Sequence, residues 1–386
     1  MASCANPVVL DLRDLGVNRR GVARTLMEVG SRLLPGDPKR YRAVCSAEGL
    51  PLLPEIDRAQ LTVVPPHSQA LFEQVTLPMV AARLGASAVY SLRECGALWG
   101  PPLLLHVTED PEVRWAREPM RLVGPGGGFG RELARRGYSR LLMNHALHRA
   151  RVATCTRATA ADLERSHGLS IDSVTVVPLG VDLDQFRRLE RGISNEVPYL
   201  FHLSSADPRE HTSVVVDAFA RLVARIAQPV RLVIAGDLGS SRQSTVDSVA
   251  RLGLEGKVET PGRVSDEQLV ELYSGAAATV LASMDEGFGL QPLEAMACGS
   301  LLVSTPARAT QEIAGEAEIE WTPLDSARMS AAFETVLSDQ TRQARATDIN
   351  RRVVAHYSWD RTAQRVHDLL EEVAARVRPM PTHGQA

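Results

Sequence analysis

Residues 285–299, DEGFGLQPLEAMACG, set two glutamates, Glu286 and Glu294, around a stretch with two glycines and a proline. Proline is accepted at the start of a helix, where backbone N–H groups have no intrahelical partner. Gln291-Pro292 therefore predicts a helix start and Gly299 its C-terminal cap. The amides of Gly287, Phe288, Gly289 and Leu290 then lie at or just before a helix N-terminus, where orphan N–H groups and the helix dipole favour an anion. Glu294 falls on the first turn as an acceptor for hydroxyl groups. A diphosphate beside a ribose and a sugar would use all of these groups together.

The elements that must position this stretch are legible as rhythm. Apolar runs at 7–12, 61–64, 87–92, 102–107, 151–156 and 174–179 alternate with helix-period stretches at 21–34, 69–83, 131–149 and 157–167. Strand runs without polar alternation are buried on both faces, as in a parallel sheet covered by helices. After a polar stretch at 184–197 the rhythm restarts, with strands at 198–203, 230–236, 257–260, 278–283 and 300–305. Helices are predicted near 210–226, 242–253, 265–276 and 291–298, then 325–337, 340–356 and 359–377. The fold class is α/β, with two doubly wound parallel-sheet domains. The predicted boundaries are 1–185, 196–356, a closing helix at 357–377 and a frayed tail at 378–386. Gly-rich GPGGGFG (124–130) reads as a mobile loop. Ligands of such sheets bind beyond the strands' carboxyl ends, so a cleft between two facing domains is the expected site.

With 386 residues and a net charge of −3, two domains are the natural reading, and nothing general points to nucleic acid or an anionic membrane. The five cysteines lack CxxC or Cys/His metal spacing, which reads as reduced thiols in a cytoplasmic protein. The N-terminus lacks the long apolar core of a signal peptide, and no run approaches a spanning helix. A peripheral membrane contact stays open but is not indicated. Of the 43 basic residues only Lys39 and Lys257 are lysine, a bias that suggests a GC-rich bacterial genome.

The string at 285–299 resembles the sugar-donor signature of retaining GT-B glycosyltransferases, family 4 (glycosyl transferases group 1). The resemblance extends to RRGVARTLMEVGSRL (19–33), LFEQVTLP (71–78), VVPLGVDLDQF (176–186), GRVSDEQLVELYSGAAATVLAS (262–283) and YSWDRTAQRV (357–366). It implies two facing Rossmann-like domains, with a C-terminal helix crossing back to the first. It implies transfer of a sugar, hexosyltransferase-fashion, from a nucleoside diphosphate sugar to an acceptor hydroxyl, with retention and with no metal or cofactor. By this resemblance Glu286 and His106 face the reacting sugar. Glu294 holds the ribose hydroxyls, and Gly287, Phe288, Gly289 and Leu290 cradle the sugar and diphosphate. Gly21 lets a loop approach the diphosphate. Ser205 and Arg209 stand at the second-domain strand exit, where such enzymes hold the diphosphate with cations, and Arg263, like Arg24 and Arg308, is a further candidate to supply charge. The acceptor, a saccharide, aminocyclitol or other natural-product or cell-surface hydroxyl, is expected on the first domain.

Three positions depart from that pattern. Family members commonly carry a lysine after the arginine at the exit of the first strand of the second domain, whereas this chain reads Arg209-Glu210. A carboxylate near a diphosphate costs affinity unless it points away. The usual His-Asp pair is His106-Val107, and Ala23 stands where a second glycine is common. The alternative these departures support is a catalytically silent protein that binds a sugar nucleotide or serves a partner enzyme.

Overall fold

In a computed structural model, residues 6–16, 21–66, 68–93, 95–113, 129–189, 197–205 and 207–376 are described. Residues 124–128 of the Gly-rich segment, the tail from 377 and the linker residues 190–196 lie outside them. The chain divides into two units: one holds the chain up to Gly180 together with the segment from Trp359, and the other runs Val181–Ser358.

In the first unit β1 (Val8–Leu12), β2 (Tyr41–Cys45), β3 (Leu61–Val63), β4 (Ala88–Ser91), β5 (Leu103–Val107), β6 (Arg151–Thr154) and β7 (Val174–Val176) form one sheet. Its order is β3-β2-β1-β4-β5-β6-β7, parallel throughout. β1 is wholly buried because VVLDL is covered on both faces. On one face Leu10 and Leu12 pack with helix Gly21–Gly36 and with helix Trp359–Ala375, whose buried residues Trp359, Thr362, Ala363, Val366, Leu369, Leu370 and Val373 recur at helical spacing. On the other face Val9 packs with Phe72, Leu77 and Ala81. Burial of a leucine such as Leu369 or Leu370 contributes roughly 1.5–3 kcal/mol. Polar contacts fix the closing helix in place: Arg40 Nε to Glu371 at 2.7 Å, Tyr41 Oη to His367 Nδ1 at 2.5 Å, and Thr362 Oγ1 donating to Pro178 O at 2.8 Å.

The second unit repeats the plan with β8 (Tyr199–Leu203), β9 (Arg231–Ala235), β10 (Val258–Gly262), β11 (Ala278–Leu281), β12 (Leu302–Ser304) and β13 (Ile319–Trp321), in parallel order β10-β9-β8-β11-β12-β13. Helix Thr212–Val223 packs Val215, Val216, Phe219 and Leu222 into its core.

β2, β13 and the helix Arg308–Ala314 were not readable as elements. β2, YRAVC, is interrupted by Arg42, whose guanidinium reaches back to the Pro38 carbonyl. β13 is three residues long, and its Glu320 takes a hydrogen bond from Arg342 at 2.6 Å. β10 departs from burial on both faces: it is an edge strand with alternating exposure.

At the end of β9, Gly236 has φ +109, and a Cβ there would lie 1.9 Å from the Ser204 carbonyl oxygen. The backbone approach is what lets Ser204 N donate to Ala235 O at 2.8 Å. Gly236→Ala should therefore destabilise the chain by about 3 kcal/mol through left-handed strain and the clash, read as a lower urea midpoint with an unchanged slope.

Candidate functional site

The strand order of the second sheet reverses between β8 and β11, and ligands of open parallel sheets bind beyond the carboxyl ends of strands at such a reversal. The two segments leaving β8 and β11 carry most of the sequence-predicted residues.

After β11, Ser283 Oγ donates to Asp285 O at 2.8 Å, and Thr305 Oγ1, at the end of β12, donates to Leu281 O and Ser283 O. These bonds fix the start of the loop. Glu286 and Gly287 are half-buried on it. Phe288 is buried, its ring edge-on to Tyr357 with centroids 6.0 Å apart. Gly289 has φ +99 and is the N-cap residue of helix Leu290–Ala297, with no side chain capping the helix. The left-handed backbone there is what turns the chain into the helix, and it leaves the first-turn amides without a capping side chain.

The helix begins one residue before the predicted Gln291-Pro292 start. Pro292 is its third residue, still where no N–H is needed, and Glu294 is its fifth, not on the first turn. Glu294 is only 6% exposed, one turn beyond Leu290. The helix closes with Ser300 N–H to Ala295 O and Gly299 N–H to Met296 O, both 2.9 Å, the double bond of a Schellman ending. Gln343 and Asn350 on helix Gln340–Val354 then hold the Gly299 and Ser300 carbonyls at 2.9 and 3.2 Å. Burial, with the Glu294 carboxylate adding to it, pushes the Cys298 thiol up to about 12.

The segment after β8 is arranged differently from what the sequence suggested. Glu210 turns inward: Ser205 donates to its carboxylate through both N–H and Oγ, the latter at 2.7 Å. Arg209 is drawn to Asp207, Nη2 to Oδ2 at 2.8 Å, so its charge is partly neutralised by a neighbour. Arg263 is paired in the same way with Asp237 at 2.7 Å, with its side chain 73% exposed. His202 is buried, its Nδ1 2.9 Å from Val280 O and Nε2 3.2 Å from Thr212 Oγ1, and burial lowers its pKa. His211 has φ +46, the left-handed region that non-glycine residues seldom enter.

The first sheet reverses between β1 and β4. Here lies a charge cluster that sequence reasoning missed. Asp11, at 3% exposure, accepts from Ser91 Oγ at 3.3 Å and from Arg13 N at 3.2 Å. Arg93 lies 3.8 Å from both Asp11 and Glu73 and is ion-paired with Asp14. The Arg13 guanidinium stacks 4.0 Å over Phe72. Burial raises Asp11 against the opposing pull of Arg93, and burial raises Glu73 to about 7. The available signal was a charged residue just past each of two adjacent strands, in DLRD and SLRE. Glu73 also sits in a π turn, Phe72–Thr76, a form that recurs at functional sites.

Gly21 opens helix Gly21–Gly36, its carbonyl accepting from Thr25 Oγ1 at 2.7 Å. His106 is fully buried in the first unit, with Nδ1 3.1 Å from Tyr90 Oη and Nε2 3.4 Å from Cys155 Sγ. Both ring nitrogens are engaged in the core, and burial lowers its pKa to about 4. The ring is therefore neutral near pH 7. Among the described residues no His, Cys, Asp or Glu group is arranged to hold a metal ion, and no helix is long and apolar enough to cross a membrane.

Residues 185–353 match the family model described as Glycosyl transferases group 1. The chain is 31% identical over 284 residues to an MMP alpha-(1->4)-mannosyltransferase of Mycolicibacterium hassiacum, covering 70% of this chain and 64% of that protein. It is 28% identical over 231 residues to a D-inositol 3-phosphate glycosyltransferase of Segniliparus rotundus, covering 55% and 50%. The match thus spans about half to two thirds of these relatives' own length. Among solved structures, Anabaena HepE in complex with UDP and glucose superposes with a TM-score of 0.70 at 18% identity, covering 95% of this chain and 99% of that one. Sucrose-phosphate synthase from Thermosynechococcus elongatus does so with a TM-score of 0.75 at 16% identity, covering 96% and 100%. These two likenesses establish the fold.

Glu73 and His106 make opposed contributions to pH-dependent stability. His106 is lowered from 6.5 to about 4, so its contribution is full above pH 6.5 and is lost as pH falls towards 4. Glu73 is raised from 4.5 to about 7, so its contribution is full below pH 4.5 and is lost as pH rises through 7. Each amounts to on the order of 3 kcal/mol at 1.36 kcal/mol per unit, and between pH 4.5 and 6.5 the slopes offset. Glu73→Gln should unmask a stability that rises with pH across that window, and His106→Gln one that falls, measured as urea midpoints at half-unit steps.

Proposed function

We propose that the chain, whose second unit matches the glycosyl transferases group 1 model and which has the GT-B fold, transfers a sugar from a nucleoside diphosphate sugar to an acceptor hydroxyl, with retention and without a bound metal. The observation that carries this reading is the Gly289 turn. It places the uncapped first-turn amides of helix Leu290–Ala297 beside the buried Glu294, at the reversal of a parallel sheet. An anion and a set of hydroxyls are the ligand groups that such an arrangement accepts. That HepE is a complex with UDP and glucose, and that the relatives bear the names of a mannosyltransferase and an inositol phosphate glycosyltransferase, supports a nucleotide sugar as co-substrate.

In this reading Glu294 accepts from the ribose hydroxyls and Glu286 stands by the sugar. The amides of Phe288, Gly289 and Leu290 stabilise the diphosphate as the bond from the sugar carbon to its phosphate oxygen breaks. Charge develops on the leaving diphosphate, and preorganised N–H groups with the helix dipole act on that charge. The bonding pair leaves with the diphosphate, the acceptor oxygen bonds the sugar carbon on the same face, and the acceptor proton passes to a phosphate oxygen. The acceptor class is proposed as a saccharide or other hydroxyl-rich small molecule.

A second reading, a silent sugar-nucleotide binder, is favoured by one specific arrangement: Glu210 turned into the β8 exit, with Arg209 paired to Asp207. Calorimetric binding of a nucleoside diphosphate with no turnover across a broad panel of sugar donors and acceptors would select it.

Incubation of the chain with mixed nucleotide sugars should release one nucleoside diphosphate, identified by mass, slowly even without acceptor. Glu294→Ala should cut that release about 100-fold or more, the scale seen when one preorganised contact is lost. Unchanged turnover in Glu294→Ala would overturn the assignment of the site.

A further inference from the structure

Two hydrogen-bond donors of one residue converge on a single acceptor where the chain leaves β8. Ser205 N–H and Ser205 Oγ both donate to the Glu210 carboxylate, one to each oxygen. Ser205 Oγ in turn accepts from Asp207 N at 3.1 Å, which aims its own proton at Glu210. The position is the carboxyl end of a strand at the reversal of the sheet, where an open α/β unit presents N–H and hydroxyl groups to an anionic ligand. A carboxylate offers two oxygens of the geometry and charge that a phosphate would offer. The anion held at this place is therefore the chain's own.

The local backbone is built around that contact. Glu210 ends the short 3-10 turn Pro208–Glu210, and His211 takes the left-handed conformation to start helix Thr212–Val223. Arg209, the adjacent cation, is committed to Asp207 by three hydrogen bonds from its guanidinium, between 2.8 and 3.2 Å. Ser204 Oγ and Thr212 Oγ1 pair at 2.5 Å behind the loop, with His202 against Thr212. Nothing in this arrangement needs Glu210 to be charged for packing. A glutamine at this position would keep one acceptor oxygen for the Ser205 donors and carry no charge.

We infer that Glu210 is the specificity-determining residue of this loop: it occupies the Ser205 donors as an internal anion, so a nucleoside diphosphate gains them only by displacing it. The second unit then discriminates among ligands by the negative charge they bring to the β8 exit. This rests on the nucleotide-sugar reading above. Repulsion between like charges, the Glu210 carboxylate and the phosphates, makes the penalty grow with each phosphate and vanish for an uncharged nucleoside.

The test is calorimetric titration of the full chain, and of Glu210→Gln and Glu210→Ala, with a nucleoside, its monophosphate and its diphosphate, using the base that the turnover assay selects or, failing turnover, uridine, guanosine and adenosine in turn. Both variants should bind the diphosphate about tenfold tighter than the parent chain, a gain of about 1.4 kcal/mol. The monophosphate should gain less and the nucleoside not at all, and the diphosphate gain should shrink in high salt. A loop that Glu210 merely props up would instead change all three ligands alike. An equal shift for the three ligands, or equal or weaker diphosphate binding in both variants, overturns the inference while leaving the nucleotide-sugar reading intact. If neither the parent chain nor either variant binds any diphosphate, both fall. Two variants are used so that misfolding of one, checked by its thermal midpoint, leaves the other to decide.

Discussion

All-parallel pairing is the constraint from which the rest follows. Every strand in both sheets runs the same way as its neighbours, so each connection must leave from the carboxyl end of one strand and travel back to the amino end of the next, in most cases through a helix. That rule gathers every strand's carboxyl end, and the N-terminus of the helix that follows it, along one rim of each sheet. It also fixes where the rim opens: the strand order reverses once per sheet, between β1 and β4 and between β8 and β11. The Asp11–Arg93 cluster, the Ser205–Glu210 loop and the Gly289 turn all lie at those two places. Their proximity to a reversal owes nothing to sequence neighbourhood; it is a property of the winding.

Charge at these rims is answered by the protein's own side chains. Arg209 is answered by Asp207, Arg263 by Asp237, Ser205 by Glu210, and Arg93 by three carboxylates. Buried or half-buried charges without partners cost far more than paired ones, so a chain that turns these groups on one another holds its loops in single conformations. The same economy bears on function. A ligand arriving at the β8 exit meets a satisfied network, whereas one arriving at the Gly289 turn meets first-turn amides that no side chain caps. The two halves of one rim thus differ in what they ask of an anion.

The fold was largely legible because buried parallel strands are continuous apolar runs, and VVLDL, YLFHL and RLVIA stand out against helical periodicity. Elements that escaped were those whose burial pattern is broken by a charge with a local partner, as Arg42 breaks β2 and Glu320 breaks β13. The DEGFGLQPLEAMACG stretch was readable because turn, cap and helix start are local chemistry; the one-residue shift of the helix start is set by Gly289, which the sequence alone placed only as part of the loop. What sequence could not supply was the direction of side chains. Arg209 and Glu210 are adjacent in sequence yet take unlike partners. His106, at the end of its strand, turns into the core between Tyr90 and Cys155. Asp11 and Arg93 come from distant segments and meet only because β1 pairs with β4.

The closing helix Trp359–Ala375 belongs to the core of the first unit, with Val366, Leu369, Leu370 and Val373 packed among residues of β1, β2 and β4. The second unit, by contrast, is one continuous stretch, Val181–Ser358. On the ribosome, where chains emerge from the N-terminus and domains fold as units, this inverts the usual order. The second unit has its whole sequence available before the first can complete its core. Until helix Trp359–Ala375 emerges, the face of β1 and of helix Gly21–Gly36 that it covers is left apolar and open. A segment synthesised after the whole second unit is thus the one that ends the first unit's exposure to misassociation during biosynthesis.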